Sequence, residues 1–177
     1  MLCKFNNFRY FNVAGADVYY ENENLKPQIG QSFPKSTHLI KIASECACFK
    51  REEVNIFGTD YNTYDGTGIR DYIHVDDLAD VHVKAIKYLD ENPSDIFNVG
   101  YGYGYSVKEV LKTMKKVSGV DIKIVNSKRR EGDPAALISN TKKIKSKMNW
   151  QPKYDNLDMI CFTSYLWEKN LYKESNY

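Results

Sequence analysis

The chain has 177 residues, of which 42% are hydrophobic and 27% charged, and its formal net charge is +2. This composition is ordinary for a globular protein of one domain or of two small lobes. The densest basic stretch, residues 142–147, is too short to predict a nucleic-acid surface. No apolar run reaches the ~20 residues that a membrane helix needs. We therefore expect neither a nucleic acid nor a membrane as a partner.

The four cysteines show neither a CxxC spacing nor the framework of a small disulfide-rich domain. Cys46 and Cys48 lie two positions apart without a nearby histidine, which makes them a poor metal pair. The N-terminus begins almost at once with strand-like sequence and lacks the charged-then-apolar layout of a targeting segment. These features predict a cytoplasmic protein with reduced thiols.

The first part of the chain contains a strand, a loop and a helix by its patterns. Residues 5–13 are aromatic and β-prone and predict a strand. Residues 15–32 are polar, contain Gly and Pro, and predict a long loop of functional importance. Apolar residues at helical spacing predict a helix over 37–49, capped by Thr37 or Ser36.

The middle of the chain adds two strands and a second helix. VNIFG at 54–58 and IRDYIHV at 69–75 predict strands, and the segment between them is a second long loop. Asp76 or Asp77 is then placed to cap a helix over 78–89.

The last part of the chain continues the alternation. IFNVG at 96–100 predicts a short buried strand, Ser106 and Glu109 form a capping box for the next helix, and Gly119 ends that helix. The remaining predicted elements are a strand at 121–126 and helices at 141–150 and 157–171. Strands alternating with helices predict an α/β fold.

The GYGYG stretch is a glycine-rich turn between a strand and a helix, where a nucleotide phosphate can bind. The dinucleotide fingerprint requires a further glycine at the position of Tyr105, and no lysine stands where a P-loop needs one. A tight strand-to-helix turn is the simpler interpretation. A ligand-facing loop stays open as the second.

Two clusters of polar residues could suggest other chemistry. His74, Asp76, Asp77, Asp80 and His82 contain metal-binding groups, but their spacing changes from strand to helix within the cluster. Aspartates at a helix start also satisfy free N–H groups and the helix dipole, so we expect no metal.

Arg70 follows a glycine loop, and Arg129, Arg130 and Asp133 share another loop. Guanidinium groups suit phosphate oxygens, so the two loops could grip a diphosphate. The alternative is that these are surface arginines in separate salt bridges, and spacing alone leaves both open.

Nucleophile motifs are missing from the sequence. A helical Tyr with Lys four positions later can act as a base, because the lysine lowers the phenol pKa. Tyr165 and Lys169 have this spacing, but no glycine-rich cofactor loop accompanies them, so they predict an ordinary helix-face pair. We assign no catalytic residue.

Six stretches occur in an order that closely resembles the C-terminal half of the UDP-glucose 4-epimerase family of extended short-chain dehydrogenases. They are RYFNVAGAD, THLI, IFGTDYNTYDGTGIRDYIHVDDLADVH, FNVGYGYGYSVKEV, RREGDPAAL and NWQPKY. The resemblance implies the C-terminal part of an NAD-binding Rossmann-like enzyme, mainly the substrate-binding lobe plus the last strands of the parallel sheet. Residues 8–13 and 96–100 would be strands of that sheet, with exposed edges that invite aggregation or a partner.

The family interconverts UDP-glucose and UDP-galactose, as NAD takes a hydride from C4 and returns it to the opposite face of a 4-keto intermediate. By resemblance, Arg70 and Arg130 would pair with phosphates and Asp133 with the ribose. Tyr10, with Phe11, would line the junction of nicotinamide and sugar as the cofactor-binding residue. The other implied substrate contacts are Asn12 to a phosphate or the sugar, His38 and Leu39 to the diphosphate, and Asn55 and Phe57 to the uracil.

By resemblance, the NAD loop and the Tyr-xxx-Lys pair should lie upstream. We therefore expect residues 1–177 to be the C-terminal UDP-sugar-binding portion of an epimerase, without the N-terminal NAD-binding domain. Such a chain would be inactive alone, would not hold NAD by itself, and could work with a separately encoded N-terminal half.

Two alternatives remain: a non-catalytic UDP-sugar-binding or interaction module, and another sugar-nucleotide enzyme such as a decarboxylase or dehydratase. Leu137 stands where the family shapes the sugar end of the pocket. It leaves the choice between UDP-hexose and UDP-N-acetylhexosamine open.

Overall fold

A computed structural model describes residues 3–33 and 35–174, with side chains up to residue 171. The strands are β1 Asn6–Tyr10, β2 Asn12–Ala14, β3 Asp17–Glu21, β4 Asn24–Ile29, β5 Val54–Phe57, β6 Ile69–Arg70, β7 Tyr72–His74, β8 Asp95–Val99, β9 Tyr105–Ser106, β10 Ile124–Ser127 and β11 Ala136–Leu137. The helices are α1 Leu39–Ala47, α2 Val75–Glu91, α3 Val107–Ser118, α4 Lys142–Met148 and α5 Leu157–Glu174.

Parallel pairs of short strands dominate the architecture. The predicted strand over 5–13 divides at Phe11 into β1, which pairs with β8, and β2, which pairs with β7. β5 pairs in parallel with β10, and β6 with β11, while β9 lies antiparallel on the other side of β6. This arrangement confirms the α/β prediction and the membership of residues 8–13 and 96–100 in parallel sheet structure.

The predicted long loop over 15–32 is wrong, because β3 and β4 form an antiparallel hairpin there. Its turn uses Asn22 and Glu23, whose φ angles are 47° and 65°. Two successive left-handed residues match the twist of a hairpin turn. The sequence ENEN contains no glycine to signal that turn, and residues 19–21 of β3 are exposed, so no burial pattern marks the strand.

The helix caps differ from two predictions and confirm a third. His74, rather than Asp76 or Asp77, is the N-cap of α2, and its ring accepts a hydrogen bond from the Asp76 N–H. The capping box of Ser106 and Glu109 begins α3 as predicted. The N-cap of α1 is His38, which makes no side-chain cap hydrogen bond, and not the predicted Thr37 or Ser36.

Three helices, α1, α3 and α5, pack against one another beside the strands, and the core extends from them across the strands to α2 and α4. Its largest fully buried side chains include Trp150, Phe97, Ile73, Leu111 and Met114. Burial of such side chains contributes about 1.5–3 kcal/mol each relative to exposure. No helix in the described part of the chain is both long and apolar enough to cross a membrane.

Candidate functional site

A cavity of about 660 Å³ opens where the strand ends meet the start of α1 and the second half of α5. Its walls come from β2, β5, β6, these two helices and the loop that follows β10. All eight residues that the resemblance implies for substrate binding line it: Asn12, His38, Leu39, Asn55, Phe57, Arg70, Arg130 and Asp133. The fold thus brings together side chains that lie far apart in the sequence.

Arg70 ends β6, and its guanidinium group lies at the cavity with 15% of the side chain exposed. Pairing of β6 with β11 on one side and β9 on the other fixes its backbone. Nη1 donates to the Ile69 carbonyl oxygen at 2.6 Å, and Nη2 donates to the Asp133 carboxylate. The cavity therefore holds an oriented guanidinium group that can reach an anionic ligand.

Arg130 supplies a second guanidinium group. Its Cζ atom lies 3.9 Å from the centroid of the Phe57 ring, within the range of a cation–π contact. Phe57 ends β5, beside Asn55, whose side-chain oxygen accepts a hydrogen bond from Ser127 Oγ at 2.8 Å. The parallel pairing of β5 with β10 thus places a charged group and an aromatic face on one wall of the cavity.

The adjacent Arg129 has other contacts. Its Nε donates to Asp60 Oδ1 at 2.7 Å, and its Cζ lies 4.1 Å from the centroid of the Tyr61 ring. The side chains of Arg129 and Asp60 are 43% and 75% exposed. Of the two interpretations that spacing left open, the shared cavity thus applies to Arg70 and Arg130, and the surface salt bridge to Arg129.

The first turn of α1 also lines the cavity. Because no side chain caps this helix, the first backbone N–H groups form a site where the helix dipole favours an anion. His38 stands beside them and accepts a hydrogen bond at Nδ1 from Gln31 Nε2, 3.3 Å away. Free backbone N–H groups and the His38 ring therefore lie together at this end of the cavity.

Sequence reasoning missed Gln31, Lys41 and Trp167, which also line the cavity. The Gln31 carbonyl oxygen accepts hydrogen bonds from Lys41 Nζ at 2.9 Å and from Trp167 Nε1 at 3.2 Å. A side chain at Gly30 would overlap the Trp167 ring. The one sequence signal for these residues was the expected functional importance of residues 15–32. The spacing of residues does not indicate that this segment contacts α5.

The GYGYG stretch forms a tight turn in which two backbone donors are already in use. The backbone N–H groups of Tyr101 and Gly102 donate to the Asp71 carboxylate at 3.0 and 3.1 Å. A Cβ atom at Gly100 would overlap Asp71 and Ser139. The Asp71 carboxylate thus stands where a ligand phosphate would have to bind, and this turn does not fit the diphosphate of NAD.

His74 is fully buried and neutral in character. Burial lowers its pKa from 6.5 to about 4. Thr163 Oγ1 donates to the Met159 carbonyl oxygen and so accepts from His74 Nε2 at 3.1 Å, while Nδ1 accepts from the Asp76 N–H. Both ring nitrogens are used within the protein. Across the described residues, no group of three or more His, Cys, Asp or Glu side chains is arranged to hold a metal ion.

Two further predicted features lie away from this cavity. Tyr10 lines a shallow groove of about 510 Å³ between β1 and α2, with its ring centroid 6.5 Å from that of His82. Tyr165 and Lys169 form a contact on α5, with Nζ 5.8 Å from the ring centroid. This geometry matches the predicted helix-face pair.

Comparison with known families and proteins gives consistent matches. The model of the NAD dependent epimerase/dehydratase family matches residues 3–100. A UDP-glucose 4-epimerase from Azospirillum brasilense is 45% identical over 92% of this chain and 45% of its own length.

Two solved structures resemble the fold closely. The UDP-Glc/GlcNAc 4-epimerase from Campylobacter jejuni is 54% identical, with a TM-score of 0.77 over 94% of this chain and 49% of that one. The Bifidobacterium longum UDP-glucose 4-epimerase in complex with NAD+ and UDP is 34% identical, with a TM-score of 0.80 over 94% and 48%. The chain spans about half the length of the curated relatives it matches.

Proposed function

Because this chain belongs to the NAD dependent epimerase/dehydratase family, we propose that residues 1–177 form the UDP-sugar-binding part of a UDP-glucose 4-epimerase. The observation that carries this proposal is the convergence of two guanidinium groups, a carboxylate and an aromatic ring on one cavity. A UDP-sugar has matching parts, namely a diphosphate, ribose hydroxyls and a flat base.

Each part of the ligand has a candidate partner. Arg70 and Arg130 neutralise the diphosphate, with the uncapped start of α1 as a further anion site. Asp133 accepts a hydrogen bond from a ribose hydroxyl once a phosphate competes for Arg70. Asn55 and Phe57 hold the uracil on the wall formed by β5.

The remaining predicted residues contact the phosphates, the sugar and the nicotinamide. Asn12 in β2 binds a phosphate or the sugar, and His38 and Leu39 contact the diphosphate. Tyr10 lines the separate groove between β1 and α2, and it contacts the nicotinamide of NAD where the nicotinamide meets the sugar. Substrates of this site are UDP-glucose and UDP-galactose.

We further propose that the chain alone is inactive and does not hold NAD, whose role in the family is hydride removal and return at the sugar C4. The closed GYGYG turn supports this, because Asp71 uses its donors. The partner would then be a separately encoded chain that supplies the NAD site. The same observation favours the second candidate function, a non-catalytic UDP-sugar-binding module.

All four cysteines are free thiols, which supports a cytoplasmic setting.

Titration calorimetry of the purified chain with UDP, UDP-glucose, UDP-galactose and UDP-N-acetylglucosamine tests the proposal. We expect binding of UDP, and weaker binding of UMP, because UMP lacks the second phosphate. Arg130→Ala should weaken UDP binding roughly 10- to 100-fold, since a hydrogen bond to a charged group is lost. Arg129→Ala is the matched control, because the neighbouring Arg129 pairs with Asp60 outside the cavity.

Equal losses in both arginine variants, or no UDP binding by the native chain, would contradict the proposed site. An epimerase assay with added NAD then separates the two candidate functions. Conversion of UDP-galactose to UDP-glucose by the chain alone would overturn the proposed inactivity. UDP binding without conversion or NAD binding supports the module that needs a second chain.

A further inference from the structure

Asp71 is the residue between β6 and β7, and 1% of its surface is exposed. Its carboxylate accepts hydrogen bonds from three backbone N–H groups, those of Tyr101, Gly102 and Ser139, at 3.0, 3.1 and 3.2 Å. It also accepts a short hydrogen bond from Ser139 Oγ. Asp71 lines no part of the cavity, so these bonds serve the protein and not the ligand.

The backbone of Asp71 makes two more connections. Its N–H donates to the Leu137 carbonyl oxygen at 3.2 Å, and its carbonyl oxygen accepts from the Asn12 N–H at 3.3 Å. Asn12 lines the cavity, Leu137 lies in β11 directly after the loop that carries Arg130 and Asp133, and Arg70 directly precedes Asp71. One buried residue therefore connects the segments from which these ligand contacts project.

We propose that Asp71 is a positioning residue, which fixes the relative places of Arg70, Asn12 and the loop over 128–139 for UDP-sugar binding. This inference rests on the proposed function, because it assigns a role to those residues only as ligand contacts. The physical reason is that buried N–H donors must be paired. Without the carboxylate, Ser139 and the GYGYG turn lose their shared acceptor, and the loop that ends beside them is free to shift.

Asp77 provides a matched control. It is equally buried, at 1% exposure, and its carboxylate accepts from Tyr101 OH at 2.7 Å and from the N–H groups of Lys153 and Tyr154 at 2.8 and 2.9 Å. None of those three donor residues lines the cavity. Asp71→Asn and Asp77→Asn therefore remove similar buried acceptors, but only the first one borders the ligand contacts.

The experiment compares the two variants by UDP titration and by amide hydrogen exchange, below the unfolding temperature of each. We expect Asp71→Asn to weaken UDP binding roughly 10-fold, as for a lost buried hydrogen bond. It should also speed exchange across residues 128–139. Asp77→Asn should leave the affinity within about 2-fold and speed exchange near residues 153–154. If Asp71→Asn does not fold, Ser139→Ala removes one of the same bonds more mildly and should shift both readouts in the same direction.

Equal affinity losses in the two variants, or unchanged exchange over 128–139 in Asp71→Asn, would overturn the positioning role. If the native chain fails to bind UDP, the proposed function fails by itself. In that case the exchange experiment still decides whether Asp71 orders this loop.

Discussion

The cavity and the groove are two concave regions of one small protein, and their chemistry differs. The cavity contains Lys41, Arg70, Arg130 and Asp133 among its lining residues. The groove between β1 and α2 is lined by aromatic, aliphatic, amide and imidazole groups, with no Lys, Arg, Asp or Glu side chain among the described residues that form it. Charged side chains therefore line the cavity and are absent from the described lining of the groove.

The support behind each region also differs. In the cavity wall, Lys41 and Glu168 form a buried ion pair between α1 and α5, and beside the strand ends the buried Asp71 carboxylate accepts hydrogen bonds from three backbone N–H groups. At the groove, β1 pairs with β8 on one edge and with no second strand in the described part of the chain. Phe5 and Ile86 remain 60% and 68% exposed there. Buried ion pairs and hydrogen bonds thus support the wall of the ligand cavity, whereas the groove is an exposed apolar surface without such support.

The largest expected effect tests the support of the cavity wall. Glu168 is 2% exposed and accepts hydrogen bonds from Lys41 and from Lys50. Glu168→Gln should lower the free energy of unfolding by roughly 3 kcal/mol, because it removes one partner of a buried ion pair. Urea denaturation measures this difference.

Asp158 on the same helix is the control for Glu168. It pairs with Lys116 at 2.8 Å, but the two side chains are 47% and 69% exposed. Asp158→Asn should change stability by less than about 1 kcal/mol, as for a solvated pair. Similar losses in the two variants would mean that the buried pair contributes no special support to the cavity wall.

The next largest effect concerns the pH dependence of stability. The His74 ring packs against Gly15 of the cavity wall, and the pKa shifts of His74 and Asp76 have opposite signs. Burial lowers the pKa of His74 to about 4, so the unfolded chain binds the proton first and stability falls as pH drops from about 6.5. Burial, with Asp17 and Asp77 nearby, raises the pKa of Asp76 to about 6. Its folded form binds the proton first, so this contribution is present at low pH and is lost as pH rises through about 6.

Asp76→Asn should therefore expose the acid sensitivity of His74. Between pH 7 and 4.5 the variant should lose about 2 kcal/mol more stability than the native protein, because the opposing contribution is gone. Urea denaturation at both pH values measures this. Parallel losses in the two proteins would show that the two shifts do not offset each other.

The smallest effect tests the groove. Ile86→Glu places a charge on a side chain that is already 68% exposed, so stability should change by less than about 0.5 kcal/mol and UDP affinity should stay the same. Self-association at high concentration should fall, because an apolar patch is interrupted. Sedimentation velocity at several concentrations measures the self-association. A loss of UDP affinity in Ile86→Glu would show that the groove contributes to ligand binding, contrary to the prediction.

The sequence was sufficient for elements that have a local signal. The capping box at Ser106 and the αL residue Gly119 at the end of α3 rest on interactions within a few residues, and the strand VNIFG is marked by a short apolar run that ends at a glycine. The β3–β4 hairpin escaped prediction because its turn uses Asn22 and Glu23 instead of glycine. The cap at His74 escaped because aspartate is the more common residue at that position.

The residues of the site also fall into a group that the sequence predicts and a group that only the structure reveals. Motif resemblance named eight residues that line one cavity, and charge chemistry alone could not separate Arg130 from Arg129. The Gln31 contacts join the segment after β4 to α5, and the Asp71 hydrogen bonds join four segments. Such long-range contacts have no spacing signal within a single sequence.

The strand pairing described above has a consequence for how the protein is made. Asn12 pairs with Tyr72, Asn55 with Val125, and Arg70 with Leu137, so each pair that frames the cavity joins remote segments. Contacts of this kind form slowly, because a long stretch of chain must be ordered before any of them is satisfied. On the ribosome, Arg70 has no β11 neighbour until Leu137 has emerged, so ligand-binding competence arrives late in synthesis, after the three helices α1, α2 and α3.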